Sequence, residues 1–182
     1  MPLKFFLLLT FLWVSPDQPK LVKVKVTNDI SVSIPKDWRP MDDLDFSQRY
    51  PSVRAPLAAY TNEDRTIDFS VNISATRWPD SNLELATQFF RASLQNMFDR
   101  VQILQEGTHE VNGKSFIFFE FESRINGNKT KEGESNPVLK YTYLQYFIQP
   151  HRTLVFSFNC SRRDRQAWEE SARAMMNSIR IK

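Results

Sequence analysis

VLKYTYLQYFIQPHRTLVFSFNCSRRDRQAWEESARAMMNSIRI, residues 138–181, is the stretch on which the fold turns. Val138–Gln149 is dense in Tyr, Phe and β-branched side chains, the composition of a strand. Pro150-His151-Arg152 breaks it. In Thr153–Asn159, Leu154, Phe156 and Phe158 recur at period two and share one face. Ser161 then opens a helix, its hydroxyl placed to accept from the free N–H at Asp164, and the Asp164 carboxylate suits the positive helix end. Ala167, Trp168, Ala172, Met175, Met176 and Ile179 follow at helical spacing. A two-stranded ribbon followed at once by a helix that can lie across it offers a large apolar surface to the rest of the chain.

Working upstream, Val101–Glu110 and Lys114–Ile125 read as a hairpin joined at Asn112-Gly113, the pair a type I′ turn prefers. Phe116 and Phe118 lie on one face of its second strand, and Ile117, Phe119 and Phe121 on the other. A strand apolar on both sides belongs at the centre of a sheet, covered above and below. Residues 126–137 (NGNKTKEGESNP) are polar and read as an exposed loop. Before the hairpin, Ser81-Asn82-Leu83-Glu84 has the form of a capping box, with Ser81 as cap and Glu84 reaching back. Leu83, Ala86, Phe90, Leu94, Met97 and Val101 then make an apolar stripe. Leu57–Thr61 and Arg65–Ser74 form another hairpin, with Ile67, Phe69, Val71 and Ile73 inward and Thr66, Asp68, Ser70, Asn72 and Ser74 on a wet face. Val22, Val24 and Val26, then Ile30, Val32 and Ile34, alternate with Lys and Ser in a first hairpin. Trp38 is placed to fold back on its apolar face. Met41–Pro56 is the least regular part, with Asp42, Asp43 and Asp45 beginning a short helix.

Hairpins with helices inserted between them predict an α+β fold: a mostly antiparallel β-sheet flanked by helices on both faces, an αβα sandwich. The chain has 182 residues, fifteen Phe and only four Gly, which suits one packed domain. Lys4 followed by Phe5–Val14, ten apolar or near-apolar residues, fits the core of a secretory signal peptide and is too short to span a bilayer. The expected division is a signal peptide over about 1–18, then a single domain over 19–182. The expected location is extracytoplasmic, periplasmic or secreted, with no transmembrane span in the mature chain. The cleavage region offers only Ser15 as a small residue.

At this point the chain resembles the PsbP/Mog/DcrB-like superfamily. The residues that carry the likeness are ISVSIPKDW (30–38) after a first strand, a capped helix ahead of the Asn-Gly hairpin, and FSFNCS (156–161) running into a helix that ends SIRI (178–181). The likeness extends over nearly the whole mature chain, and within the superfamily it points to uncharacterised exported bacterial proteins. It implies a central antiparallel sheet between helix layers. It also implies a non-enzymatic role as a partner-binding or accessory module.

The residues themselves agree in offering no catalytic constellation. No nucleophile elbow, phosphate loop, zinc-binding HExxH or dinucleotide fingerprint occurs. The Asp42–Asp45 run lacks the glycine a calcium loop needs. His109 and His151 have no partner at metal-ligand spacing, and neither a cofactor nor a metal is expected. Cys160, the single cysteine, reads as a small core residue. Glu120 and Glu122 read as a solvated strand end balanced by Arg124, and Arg162, Arg163 and Arg165 as a solvated face. With 24 cations against 21 anions and no basic run, nucleic acid is not an expected partner. The partner is instead an unknown protein or a small ligand. The residues expected to meet it are Tyr50, Arg54 and Trp78, large side chains in irregular segments held by a rigid sheet. The alternative is a carrier with an apolar pocket between sheet and helix.

Overall fold

The structure, a computed structural model, describes residues 19–49, 55–76, 78, 82–126, 129–130, 133–134 and 136–182. The expected signal peptide, Tyr50 and Arg54 lie outside these residues. The elements in chain order are β1 (Leu21–Lys25), β2 (Ile30–Pro35), β3 (Arg39–Pro40), α1 (Asp43–Arg49), β4 (Ala58–Thr61), β5 (Asp68–Ile73), α2 (Leu83–Met97), β6 (Arg100–Val111) and β7 (Lys114–Ile125). They continue with β8 (Lys129–Thr130), β9 (Gly133–Glu134), β10 (Val138–Gln149), β11 (Arg152–Ser161), a single 3-10 turn at Arg162–Asp164, α3 (Arg165–Asn177) and β12 (Arg180–Ile181).

Seven strands form one sheet in the order β3-β4-β5-β11-β10-β7-β6, and every neighbouring pair is antiparallel. The alternation in β7 divides the core as expected. Phe116 joins Phe156, Phe158, Phe69 and the α3 residues Ala172, Met175 and Met176 on one face. Ile117, Phe119 and Phe121 join Phe90 and Leu94 of α2 on the other. The fold is therefore α+β, with helices on both faces of a mostly antiparallel sheet. Asn112 and Gly113 take positive φ, 50° and 76°, as the tight β6–β7 turn requires.

Beside the main sheet, the first hairpin and β12 build a separate three-stranded sheet, β1-β2-β12, whose Ile30, Val32 and Ile34 pack into the α3-side core. Trp38 does fold back there, stacked on Phe158 at 6.3 Å and close to Trp168. Four local expectations are corrected. The α2 cap is Asn82, whose side-chain oxygen accepts from the Leu85 amide at 3.0 Å. The helix ends at Met97, so Met97 lies 67% exposed and Val101 belongs to β6. The Ser161 hydroxyl caps no amide; it donates to the Asp164 carboxylate at 2.8 Å, since the 3-10 turn delays α3 to Arg165. The 126–137 segment includes a short β8–β9 pair. α1 begins as expected, with the Asp45 amide donating to the Asp42 side chain at 2.9 Å.

Asn82→Ala removes the side-chain acceptor of the Leu85 amide at the start of α2. It is expected to lower the unfolding free energy by about 1 kcal/mol in urea titrations.

Candidate functional site: a half-covered sheet face

The strand register fixes which side chains share the α2 side of the sheet. Asp68 pairs with Asn159, which pairs with Thr142; Ser70 pairs with Ser157, which pairs with Leu144. Alternation puts Phe69, Phe156 and Phe158 on the α3 side and these polar residues on the other. α2 covers only the β10–β7–β6 half of that side, through Ala86, Phe90 and Leu94. Among the described residues α2 leaves the β5–β11 half uncovered, and Gln48 of α1 lines the recess there.

The result is a groove of about 980 Å³. Its floor is polar. The Thr142 hydroxyl donates to Asn159 Oδ1 at 3.0 Å, and Asn159 Nδ2 donates to Asp68 Oδ1 at 2.9 Å and to Ser157 Oγ at 3.0 Å. On β5, Asn72 Nδ2 donates to Ser70 Oγ at 2.9 Å. This row of side chains runs across three strands. The wall is apolar: Phe90 stacks on Tyr146 at 4.1 Å, and Phe89, Leu94 and Phe121 continue it. At the rim Phe89, Met97, Ile125, Val138 and Leu139 are all substantially exposed. The wet face expected for β5 is in fact recessed, with Asp68 and Ser70 buried in the floor.

Of the three residues expected to meet a partner, the structure describes Trp78. It is half-buried behind the groove wall, its ring 5.5 Å from Phe89 and 6.3 Å from Phe90. Tyr50 and Arg54 lie outside the described residues. The groove residues were legible only as alternation: Ser157 and Asn159 interleave with Phe156 and Phe158. Their convergence with Asp68 depends on a pairing 91 residues apart.

The opposite face holds a charge cluster, and it corrects two expectations. Glu120, 1% exposed, accepts from Arg173 at 2.8 and 3.2 Å and from the Tyr141 hydroxyl at 2.9 Å. Glu122 pairs with Arg162 at 2.7 Å and with Arg165 at 3.0 Å, while Arg165 also reaches Glu169. The two glutamates are thus not a solvated strand end; Arg124 binds Asn126 instead. Nor are Arg162 and Arg165 merely a solvated face, for the 3-10 turn and the start of α3 bring them to Glu122 of β7. Burial, then the Glu120 charge, raises the Tyr141 phenol far above its usual range. The hydrogen bond from Glu120 raises Arg173. These shifts describe a clamp between helix and sheet.

His109 lies on the edge strand β6, stacked on Phe118 at 4.7 Å and hydrogen-bonded to Gln145, and burial lowers its pKa. Cys160 is buried, its thiol pushed up to about 12 by burial and by the Asp164 and Asp68 charges. Among the described residues no group of three His, Cys, Asp or Glu side chains could hold a metal.

With this geometry in hand, comparison with solved structures is decisive for architecture. The solution structure of cyanobacterial PsbP (CyanoP) from Synechocystis superposes with a TM-score of 0.61 at 10% identity, covering 89% of this chain and 92% of that one. The chain has the PsbP/Mog-like fold. LpqN, involved in cell envelope biogenesis of Mycobacterium tuberculosis, superposes at 0.58 with 14% identity, covering 90% and 91%. The Saccharomyces cerevisiae Ran-binding protein Mog1p superposes at 0.55 with 15% identity, covering 90% and 96%. In sequence no family model matches the chain, and no curated protein does. These identities carry the fold and leave the function to the site.

Two measurements check the environment of these side chains. Arg173→Met strips the buried Glu120 of its counter-charge and is expected to cost about 2–3 kcal/mol of stability in urea. That is less than for a fully buried pair because the arginine is partly solvated. Native protein titrated at pH 8 with a colorimetric disulfide reagent should leave Cys160 unmodified, with one thiol per chain appearing only after denaturation.

Proposed function

We propose that this protein is an exported, non-catalytic binding domain that holds an elongated amphiphile in the groove between α2 and the β5–β11 half of the sheet. The observation that carries the proposal is the pairing of a hydrogen-bonding floor with an aromatic wall in one groove. A purely apolar ligand would leave Asp68 and Asn159 facing hydrocarbon, at a cost of the order of 1–3 kcal/mol per unmet polar group. A purely polar ligand would leave Phe89 and Phe121 unused. A ligand with one apolar and one hydrogen-bonding side meets both. This modifies the apolar-carrier alternative: the pocket between sheet and helix is there, but it is open and half polar.

The non-catalytic part rests on the floor chemistry. Its carboxylate among the described lining residues, Asp68, already accepts from Asn159; no histidine lines the groove among those residues, and the Cys160 thiol that does is buried and pushed up to about 12. The export part rests on the leader, and the role of LpqN in cell envelope biogenesis is in keeping with it. No helix among the described residues is long and apolar enough to cross a membrane. A protein partner is the second reading. The exposed rim, Met97 with Ile125, Val138 and Leu139, favours it, as does the Ran-binding role of Mog1p.

The test fills the groove. Ser70→Trp with Ser157→Trp places two indoles on the floor. Titration with the neutral amphiphilic fluorophore Prodan should show saturable one-site binding to the parent and at least about tenfold weaker binding to the double variant. Equal binding by both would overturn the groove as the site. If both proteins are bare of small-molecule adducts in native mass spectrometry, yet a protein chain copurified from the native source stays with the parent and leaves the variant, the second reading replaces the first.

A further inference from the structure

The small sheet carries a feature that the groove does not use. In β1 the inward residue is Val24, and Lys23 and Lys25 are exposed. Lys25 lies opposite Ser31 of β2, and Ser31 lies opposite Arg180 of β12. Strands stand about 4.8 Å apart and same-face residues about 7 Å apart along a strand. The backbone positions of the three cations, Lys23, Lys25 and Arg180, therefore lie within roughly 12 Å of one another on one face. Lys182 lines the same shallow groove, of about 540 Å³, where Asp29 is the one acid among the lining residues.

These four cations differ from most of the protein's other described arginines. Arg39 and Arg65 are paired with Asp42 and Asp45. Arg91 is paired with Glu106, and Arg162, Arg165 and Arg173 with Glu120, Glu122 and Glu169. Among the described residues, Lys23, Lys25, Arg180 and Lys182 have no side-chain ion pair. On the groove at the small sheet, four cations thus stand against one lining acid.

We propose that the outer face of the β1-β2-β12 sheet docks on an anionic lipid surface. The charge complementarity is of the kind a headgroup plane provides. The cations stand on long flexible stems around a shallow groove and can each reach a separate phosphate. Nothing arranges them as a fork or aims backbone N–H groups inward, as a site for one small anion would. Each cation near an anionic bilayer is worth roughly a fivefold gain in partitioning, lost with salt as charges are screened. The groove between α2 and β5–β11 plays no part in this, so either assignment can fail without the other.

The test is flotation of the purified protein with vesicles of phosphatidylcholine alone or mixed equally with phosphatidylglycerol. The comparison is with the variant Lys23→Gln, Lys25→Gln, Arg180→Gln and Lys182→Gln. Both proteins keep the same N-terminal residues, so apolar insertion by Phe5–Val14 cancels. The expected result is phosphatidylglycerol-dependent flotation that weakens on the order of a hundredfold in the variant and vanishes at high salt. A second variant, Lys23→Arg, Lys25→Arg and Lys182→Arg, keeps the charge and should float like the parent. Equal flotation of parent and glutamine variant would overturn the proposal. So would flotation of the parent that is indifferent to phosphatidylglycerol. Displacement by inorganic phosphate, beyond the effect of chloride at equal ionic strength, would also overturn it by showing a site for a single anion.

Discussion

The structure depends on β11 being paired along both edges at once. On one side it bonds β10 from Arg152 to Ser161, and on the other it bonds β5 from Leu154 to Asn159. Its two faces meet different surroundings: Leu154, Phe156 and Phe158 enter the α3-side core, while Ser157 and Asn159 face the groove. A strand with both edges satisfied and one face fully apolar cannot slip by a residue without exposing three large side chains and burying two polar ones. That constraint fixes β5 and β10, and through them the positions of β4 and β7. It also fixes where the polar row must lie, since Asp68, Asn159 and Thr142 are neighbours only in this register.

The covering of the sheet follows from this central pairing. One side is closed by α3 and by the small sheet, whose Ile30, Val32 and Ile34 add to the same core as Trp38 and Met176. The arginines of α3 and of the turn before it reach the glutamates of β7, so helix and sheet are joined by charge as well as by apolar contact. On the other side α2, fifteen residues long, spans the half built by β10, β7 and β6. A single helix of that length cannot cover seven strands, and the uncovered half carries hydroxyls and amides instead of Phe.

The sheet was legible in the sequence wherever the signal was local. Period-two alternation in β5, β7 and β11, and the Asn112-Gly113 turn, depend on residues a few positions apart and were read in the right places. The Ser81 cap failed by one residue because Asn82 is an equally good acceptor and sits nearer the first helical turn. The closing strand at Arg180–Ile181 was not foreseen, since its partner is β2, far back in the chain. The same limit governed the site. The polar alternation of β5 could be read, but that it faces a recess and not open water depends on where α2 stops. Glu120 and Glu122 looked solvated beside Arg124 because their true partners, Arg173, Arg165 and Arg162, arrive on a helix about forty to fifty residues later.

The place of β11 in the chain has a consequence for how the molecule is made. The strand at the centre of the sheet is also among the last to be synthesised, after β3 through β7 and β10. Until it emerges, β5 and β10 each lack one of their two partners, and the α3-side core cannot close. Closure of that face therefore comes last in the order of synthesis and waits for a pairing between distant segments, which is slow.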